Sequence, residues 1–377
     1  MKAKTKTFKG LGLLLVFIMM LSLLVACGGG KEEDPAADPK AKQDAVNNEK
    51  ADEDGEPAKA DDSEAAPAEA LSAVMITNSS GLGDGGFNDM AWAGLQKAKD
   101  ELGFEVAVIE STEAAQLAPN VAAAAEQGYD VVVCVGFLFI DVLNEIAPQY
   151  PDTKFIMIDG SVEGDNVYSY MFDVKESSYL AGALAGLVIE ENKFGYVGGM
   201  EIPVVLSWEC GYVSGIKTTR PDAEVTTSYV GTFTDPGRAK ELALAQFNNG
   251  AGVCMEVTSG GAIGVIEAAQ DAGKQFIATD KSKDSFAPGF EFTAALAKRD
   301  QAVFEATKRI ADGSAKPGVT TLTISDGVFG LPENTEERYG SDVMEKINKI
   351  YDMIVSGEIV VPGTREEVDA FEYPVID

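Results

Sequence analysis

The chain reads as an α/β protein built from two doubly wound parallel-sheet lobes. Three observations predict this. Short apolar runs alternate with amphipathic stretches of helical length, the pattern of strands buried on both faces and covered by helices. The alternation runs through twice in about 300 residues, more than a single sheet and core usually span. Glycines, serines and carboxylates cluster directly after the apolar runs, where open α/β sheets gather their ligands.

Taken in order, Ala73–Thr77 (AVMIT) reads as a buried strand, Met90–Leu102 as a helix and Phe104–Glu110 (FEVAVIE) as a second strand. A helix over Ala118–Gly128 and a strand over Asp130–Val135 (DVVVCV) follow, then a helix over Phe139–Tyr150 and a strand over Lys154–Ile158. The rhythm restarts after Phe172. It runs helix Ser177–Glu190, strand Lys193–Val197, helix Val205–Thr218, strand Glu224–Val230, helix Pro236–Asn249, strand Gly252–Val257, helix Ile263–Ala272 and strand Gln275–Ala278. Asp235-Pro236 opens its helix by plain capping chemistry, Asp before the first turn and Pro at its first position. The strand ends therefore fall at Asn78 to Asn88, at Gly136-Phe137, at Asp159-Gly160, at Gly198-Gly199, at Thr258 to Gly261 and at Asp280.

The N-terminus is of different material. Lys2, Lys4, Lys6 and Lys9 precede an uncharged run from Gly10 that closes on Leu24-Val25-Ala26-Cys27. A basic start, an apolar middle and a small residue before the cleavage point make a secretory signal over residues 1–26. The apolar run of about 17 residues is short of the roughly 20 that span a bilayer, so a transmembrane anchor is the weaker alternative. The closing Cys resembles a lipobox, with Cys27 as the lipidated new N-terminus on the extracytoplasmic face of a cell membrane. Residues 27–71, rich in Ala, Pro, Glu, Asp and Lys, cannot bury enough apolar surface to offset their ordering entropy, and read as an acidic tether.

Composition excludes several chemistries. The formal charge is −31 and there is no histidine. A field of that sign repels phosphate backbones, so no nucleic-acid partner is expected. The missing imidazole removes the usual general base and metal ligand, and neither a cofactor, a metal nor a catalytic residue is expected. Besides Cys27, Cys134, Cys210 and Cys254 lack metal-ligand or redox spacing; Cys134 and Cys254 read as small buried hydrophobes.

Six motifs in order carry a family resemblance: GLGDGGFNDMAWAGL (residues 81–95), VGFLFIDVLNEIAPQYPDTKFIMID (135–159), FDVKESSYLAGALAGL (172–187), GYVGGMEIPVV (195–205), FTDPGRAKELA (233–243) and SGGAIGVIEAAQDAG (259–273). Together they are similar to the basic membrane protein family of ABC-transporter substrate-binding lipoproteins, whose best-known members bind purine nucleosides. The resemblance implies a type I periplasmic-binding-protein fold, with lobes joined by three crossovers near Phe172, Phe286 and Gly313. The first lobe would hold residues 72–172 and 286–313, and the second 173–285 and 314–377. It implies a small-molecule ligand closed in the cleft, and an ABC permease and ATPase as partners.

The family pattern places Asn78, Asp84, Phe87 and Asn88 in the first loop, with Phe137 as a further aromatic of the first lobe and Trp208 as an aromatic of the second. Two aromatics from opposite lobes would sandwich a planar base, adding about 0.5–1.5 kcal/mol per ring pair. Asp159 and Asp280 suit a ribose diol or purine edge, since a carboxylate accepts two hydrogen bonds at once. Ser259 and Gly260 would let the backbone approach. Trp92, within its helix, reads as packing. The family usually has Asp at the place of Asn78 and Lys at the place of Ala297; Lys298 stands one residue later, turned by about 100° on a helix. This reads as coordinated loss of a charge pair. Two other functions fit the same segments: a secreted nucleoside-processing enzyme using Asp84 and Asp159 with a cation, or a sensor or surface antigen without a transport role.

Overall fold

The computed structural model describes residues 70–376; the signal, Cys27 and nearly all of the tether lie outside the described residues. The first sheet contains β1 (Ser72–Ile76), β2 (Glu105–Ile109), β3 (Val131–Val135), β4 (Lys154–Ile158), β5 (Val167–Phe172) and β11 (Gly318–Leu322), in the spatial order β11-β5-β4-β3-β1-β2. Every pairing in it is parallel. The second holds β6 (Lys193–Gly198), β7 (Glu224–Tyr229), β8 (Val253–Val257), β9 (Gln275–Asp280), β10 (Glu291–Ala297) and β12 (Phe329–Gly330), in the order β12-β10-β9-β8-β6-β7. Only the short β12 runs antiparallel.

Parallel strands need covering on both faces, and the all-buried VVVCV of β3 and VCMEV of β8 show it. In the first lobe α2 (Leu117–Glu126) and α3 (Phe139–Ile146) pack on the outer face. The opposite face is covered by α1 (Phe87–Leu102) and α8 (Arg299–Ala311). The second lobe repeats the plan, with α6 (Pro236–Asn248) and α7 (Ala262–Ala272) outside, and α4 (Lys175–Val188), α5 (Pro203–Thr219) and α10 (Ser341–Val355) inside. Helices α1 and α7 stop where Gly103 and Gly273 turn left-handed, at φ of 77° and 62°. Between α8 and α10 lies the single turn α9 (Thr335–Tyr339), and α11 (Arg365–Ala370), the last helix among the described residues, packs on α5. Its Arg365 pairs with Glu209 at 2.9 Å and with Glu201 at 2.7 Å. No helix among the described residues is long and apolar enough to cross a membrane.

Two of the three expected crossovers lie elsewhere. The first does follow Phe172. The second was expected near Phe286, but Glu291–Ala297 pairs in parallel with β9, Thr293 opposite Ile277, and stays in the second sheet. Its buried run of small apolar residues fits a covered strand; only α8, packed on α1, returns to the first lobe. The crossing is thus at Lys298. The third was expected near Gly313, yet Gly318–Leu322 adds to the edge of the first sheet beside β5, so the chain crosses back between Leu322 and Phe329. Polar Thr320 and Thr321 on a partly exposed edge leave no buried-strand signal. Val167–Phe172, for which the alternation names no element, is also a strand.

Candidate functional site

Between the lobes lies a pocket lined by residues of both sheets, a concave place of the kind small-molecule ligands use. The carboxyl ends of β1, β3 and β4 bring Asn78, Phe137 and Asp159 to it, and α1 contributes Phe87. From the second lobe come Trp208 on α5, Ser259 after β8 and Asp280 at the end of β9. All seven were predicted from sequence. Phe233, Ile202, Val204 and Val205 extend the apolar wall, and Ser79, Ser80 and Thr279 add hydroxyls. Phe233 fits because Gly199 has no side chain; a Cβ there would lie 2.3 Å from the ring.

The backbone at the site is unusual. Among the described residues, the non-glycine residues with left-handed φ are Asp159 (55°), Ser259 (49°) and Asp280 (71°). All three line the cavity. Such conformations cost of order 1–3 kcal/mol each and collect where a side chain must be aimed, although Asp tolerates them better than most.

Four predicted residues lie outside the lining. Asp84 caps the start of α1: its carboxylate accepts from the backbone N–H groups of Gly86 (3.0 Å), Asn88 (2.9 Å) and Asp89 (3.3 Å). It also accepts from Ser259 Oγ across the cleft at 3.3 Å. A carboxylate so engaged with orphan helix donors is not free as a second catalytic acid beside Asp159. Asn88 is fully buried and acts on Asn78 instead, donating from Nδ2 to Asn78 Oδ1 (3.0 Å) and accepting from Asn78 N–H (3.3 Å). Gly260 serves close approach, since a Cβ there would stand 3.2 Å from the Phe233 carbonyl. Lys298 occupies the crossover, neither on the helix nor in the cavity; its Nζ lies 3.5 Å from the Gly327 carbonyl.

The cation expected to be lost is present as Arg299, which the sequence reading missed. It is 1 % exposed. Its Nε and Nη2 reach Asp159 Oδ2 at 2.9 and 2.8 Å, and its Nη1 pairs with Asp280 Oδ1. The guanidinium also lies 4.7 Å from the Phe87 ring centre and 4.8 Å from that of Phe172. In the run Lys298-Arg299-Asp300 it looks like an ordinary solvated helix start, and only the crossover at Lys298 reveals that it is buried. Burial pushes the Asp159 carboxyl above its ordinary value and Arg299 offsets part of that; burial would lower the guanidinium, but Asp159 and Asp280 together hold it up. Asp159 Oδ1 is buried without a hydrogen-bond partner.

A second buried ion pair sits beneath the loops of the second lobe. Lys283 Nζ meets Glu256 Oε1 at 2.5 Å, and Glu256, fully buried, accepts from Thr258 N–H (3.3 Å) and Thr279 N–H (3.1 Å). This ties the ends of β8 and β9, which carry Ser259 and Asp280. The three cysteines among the described residues are free and buried. Burial raises each thiol, Cys210 to about 12, so they remain unionised packing groups.

Two six-stranded lobes around a largely apolar cleft with polar groups at the strand ends define a solute-binding protein of the periplasmic-binding-protein type. The family described as ABC transporter substrate-binding protein PnrA-like matches residues 71–365, and the chain belongs to it. The chain is 29% identical over 319 residues to the ABC transporter nucleoside-binding protein BmpA of Lactococcus lactis subsp. cremoris, covering 78% of this chain and 89% of that one. It is 26% identical to Basic membrane protein A of Borreliella burgdorferi over 76% of this chain and 87% of the relative. An ABC transporter solute-binding protein of Aeropyrum pernix K1 superposes with a TM-score of 0.73 at 28% identity, over 80% of this chain and 96% of the other. The family is one of substrate-binding proteins rather than enzymes, and membership implies a small-molecule ligand and transporter partners.

Proposed function

We propose that the chain is the receptor of an ABC importer for a purine nucleoside or a similar planar polar solute. Cys27 holds it by lipid to the extracytoplasmic face of the membrane, and a permease with its ATPase receives the solute. One observation carries the reading: the three strained residues Asp159, Ser259 and Asp280 converge on one cavity whose walls bring aromatic rings from both lobes. Phe87 and Phe137 face the solute from one side, Trp208 and Phe233 from the other, a geometry suited to a flat base. Asn78, Asp159, Ser259 and Asp280 read its hydroxyls and ring edge. The two lobes hinge over the ligand, and the closed form is the one presented to the permease. The nucleoside-binding relative supports the choice of ligand. Thermal unfolding against adenosine, guanosine, inosine, cytidine, free bases, ribose and amino acids tests it. A ligand at 100 times its Kd adds about 2.7 kcal/mol, and a rise confined to purine nucleosides is the expected result. A flat response to all nucleosides overturns the reading.

A further inference from the structure

Arg299 joins the two lobes at the level of the cavity. It follows the crossover residue Lys298 directly, and engages one carboxylate at the end of β4 and another at the end of β9. Without it, two largely buried carboxylates would share the polar end of the cavity, 6% and 9% exposed. Such a pair holds a proton or draws a cation. With Arg299 in place the carboxylates face a fixed guanidinium, clamped between the Phe87 and Phe172 rings. Asp159, Asp280 and Arg299 all line the cavity, and Asp159 Oδ1 is buried with no partner of its own. The three side chains set acceptors beside donors.

We infer that Arg299 is a specificity-determining residue of this cleft: it shuts cationic solutes out of the diacid and turns it toward an uncharged ligand bearing hydroxyls or an amide-like edge. A lysine cannot replace it, because a single ammonium does not span both carboxylates as the planar fork does. The inference deepens the nucleoside reading and rests on it for the ligand's identity, but not for the ligand's charge.

The test is titration of the purified chain, and of its Arg299→Ala and Arg299→Lys variants, with two probes: inosine, which is neutral, and benzamidine, a planar amidinium. The native chain is expected to take inosine and refuse benzamidine. Arg299→Ala weakens inosine by at least about tenfold and gains benzamidine by at least about tenfold, the amidinium seating on the vacated carboxylates. Arg299→Lys refuses benzamidine and still weakens inosine about tenfold. Equal benzamidine affinity in the native chain and Arg299→Ala overturns the inference. If Arg299→Ala does not fold, inosine affinity unchanged in Arg299→Lys overturns it. If the native chain binds no nucleoside, that reading fails separately, and the benzamidine comparison still decides the role of Arg299.

Discussion

Asp159 combines a left-handed backbone, a buried carboxylate and an unpartnered oxygen in one residue. Each feature alone is unfavourable, so their coincidence points to a side chain placed for a ligand. Asp159→Asn keeps a residue that tolerates this φ and removes only the charge facing Arg299. It is expected to weaken nucleoside binding by removing an acceptor from the cavity, which a titration checks. Trp208 lines the cavity and is 3% exposed, and its backbone carbonyl, accepting from Ser178 Oγ at 2.6 Å, ties α5 to α4. Trp208→Ala is expected to raise the Kd by about 30-fold, roughly 2 kcal/mol, with a smaller change in affinity for Trp92→Ala, whose ring packs against the core. Much of the cavity lining was legible because strand ends in a parallel sheet converge, and sequence marks those ends. Asp84 and Asn88 were legible as loop residues but not as supports, since which carboxylate a helix start claims depends on where the loop turns. Arg299 was illegible because the same residues open any exposed helix.

Among the elements of the described residues, α4 and α5 pack most extensively, and glycine is the reason. A Cβ on Gly182 would stand 2.3 Å from the Tyr212 carbonyl oxygen, and one on Gly215 would stand 2.0 Å from that of Tyr179. Backbone lies against backbone, and Gly211 brings α5 onto the start of α4 beside the first crossover, where a Cβ would stand 2.2 Å from the Lys175 carbonyl oxygen. Gly215→Val is expected to cost about 3 kcal/mol through overpacking, seen as a lower urea midpoint. Gly237→Ala, in the exposed start of α6 with only Asp235 Oδ1 at 3.4 Å, is expected to gain about 0.4–1 kcal/mol from reduced unfolded-state entropy. The repeated strand–helix rhythm was readable over most of both lobes because buried parallel strands leave continuous apolar runs. The edge strand β11 was not, because a half-exposed edge needs no such run. Nor was β10 separable from α8, since Ala-rich sequence suits both a covered strand and a helix.

For the whole molecule, charge sets the response to pH. The formal charge of −31 makes the chain repel itself, and burial raises the carboxyls of Asp159, Glu176 and Glu291 above their ordinary values. A raised carboxyl means that the folded state binds more protons than the unfolded one between the two pKa values. Stability therefore rises as pH falls through the folded value, and levels below the ordinary 3.8 to 4.5. Glu191 and Asp312 shift the other way, lowered chiefly by hydrogen bonds from Lys274 and Ser314, but they lie near the surface, where screening leaves little. The urea midpoint is accordingly expected to rise as the pH is lowered from neutral toward the ordinary carboxylate range; a falling one would mean that the buried carboxylates are held ionised by their partners. Whether a nucleoside-like solute is gripped between the lobes is decided by calorimetric titration of the native chain and of Trp208→Ala with inosine, adenosine and guanosine. One site per chain is expected for at least one purine nucleoside, with its loss or marked weakening in the variant. No heat with any of the three, or the same affinity without the Trp208 ring, would contradict it.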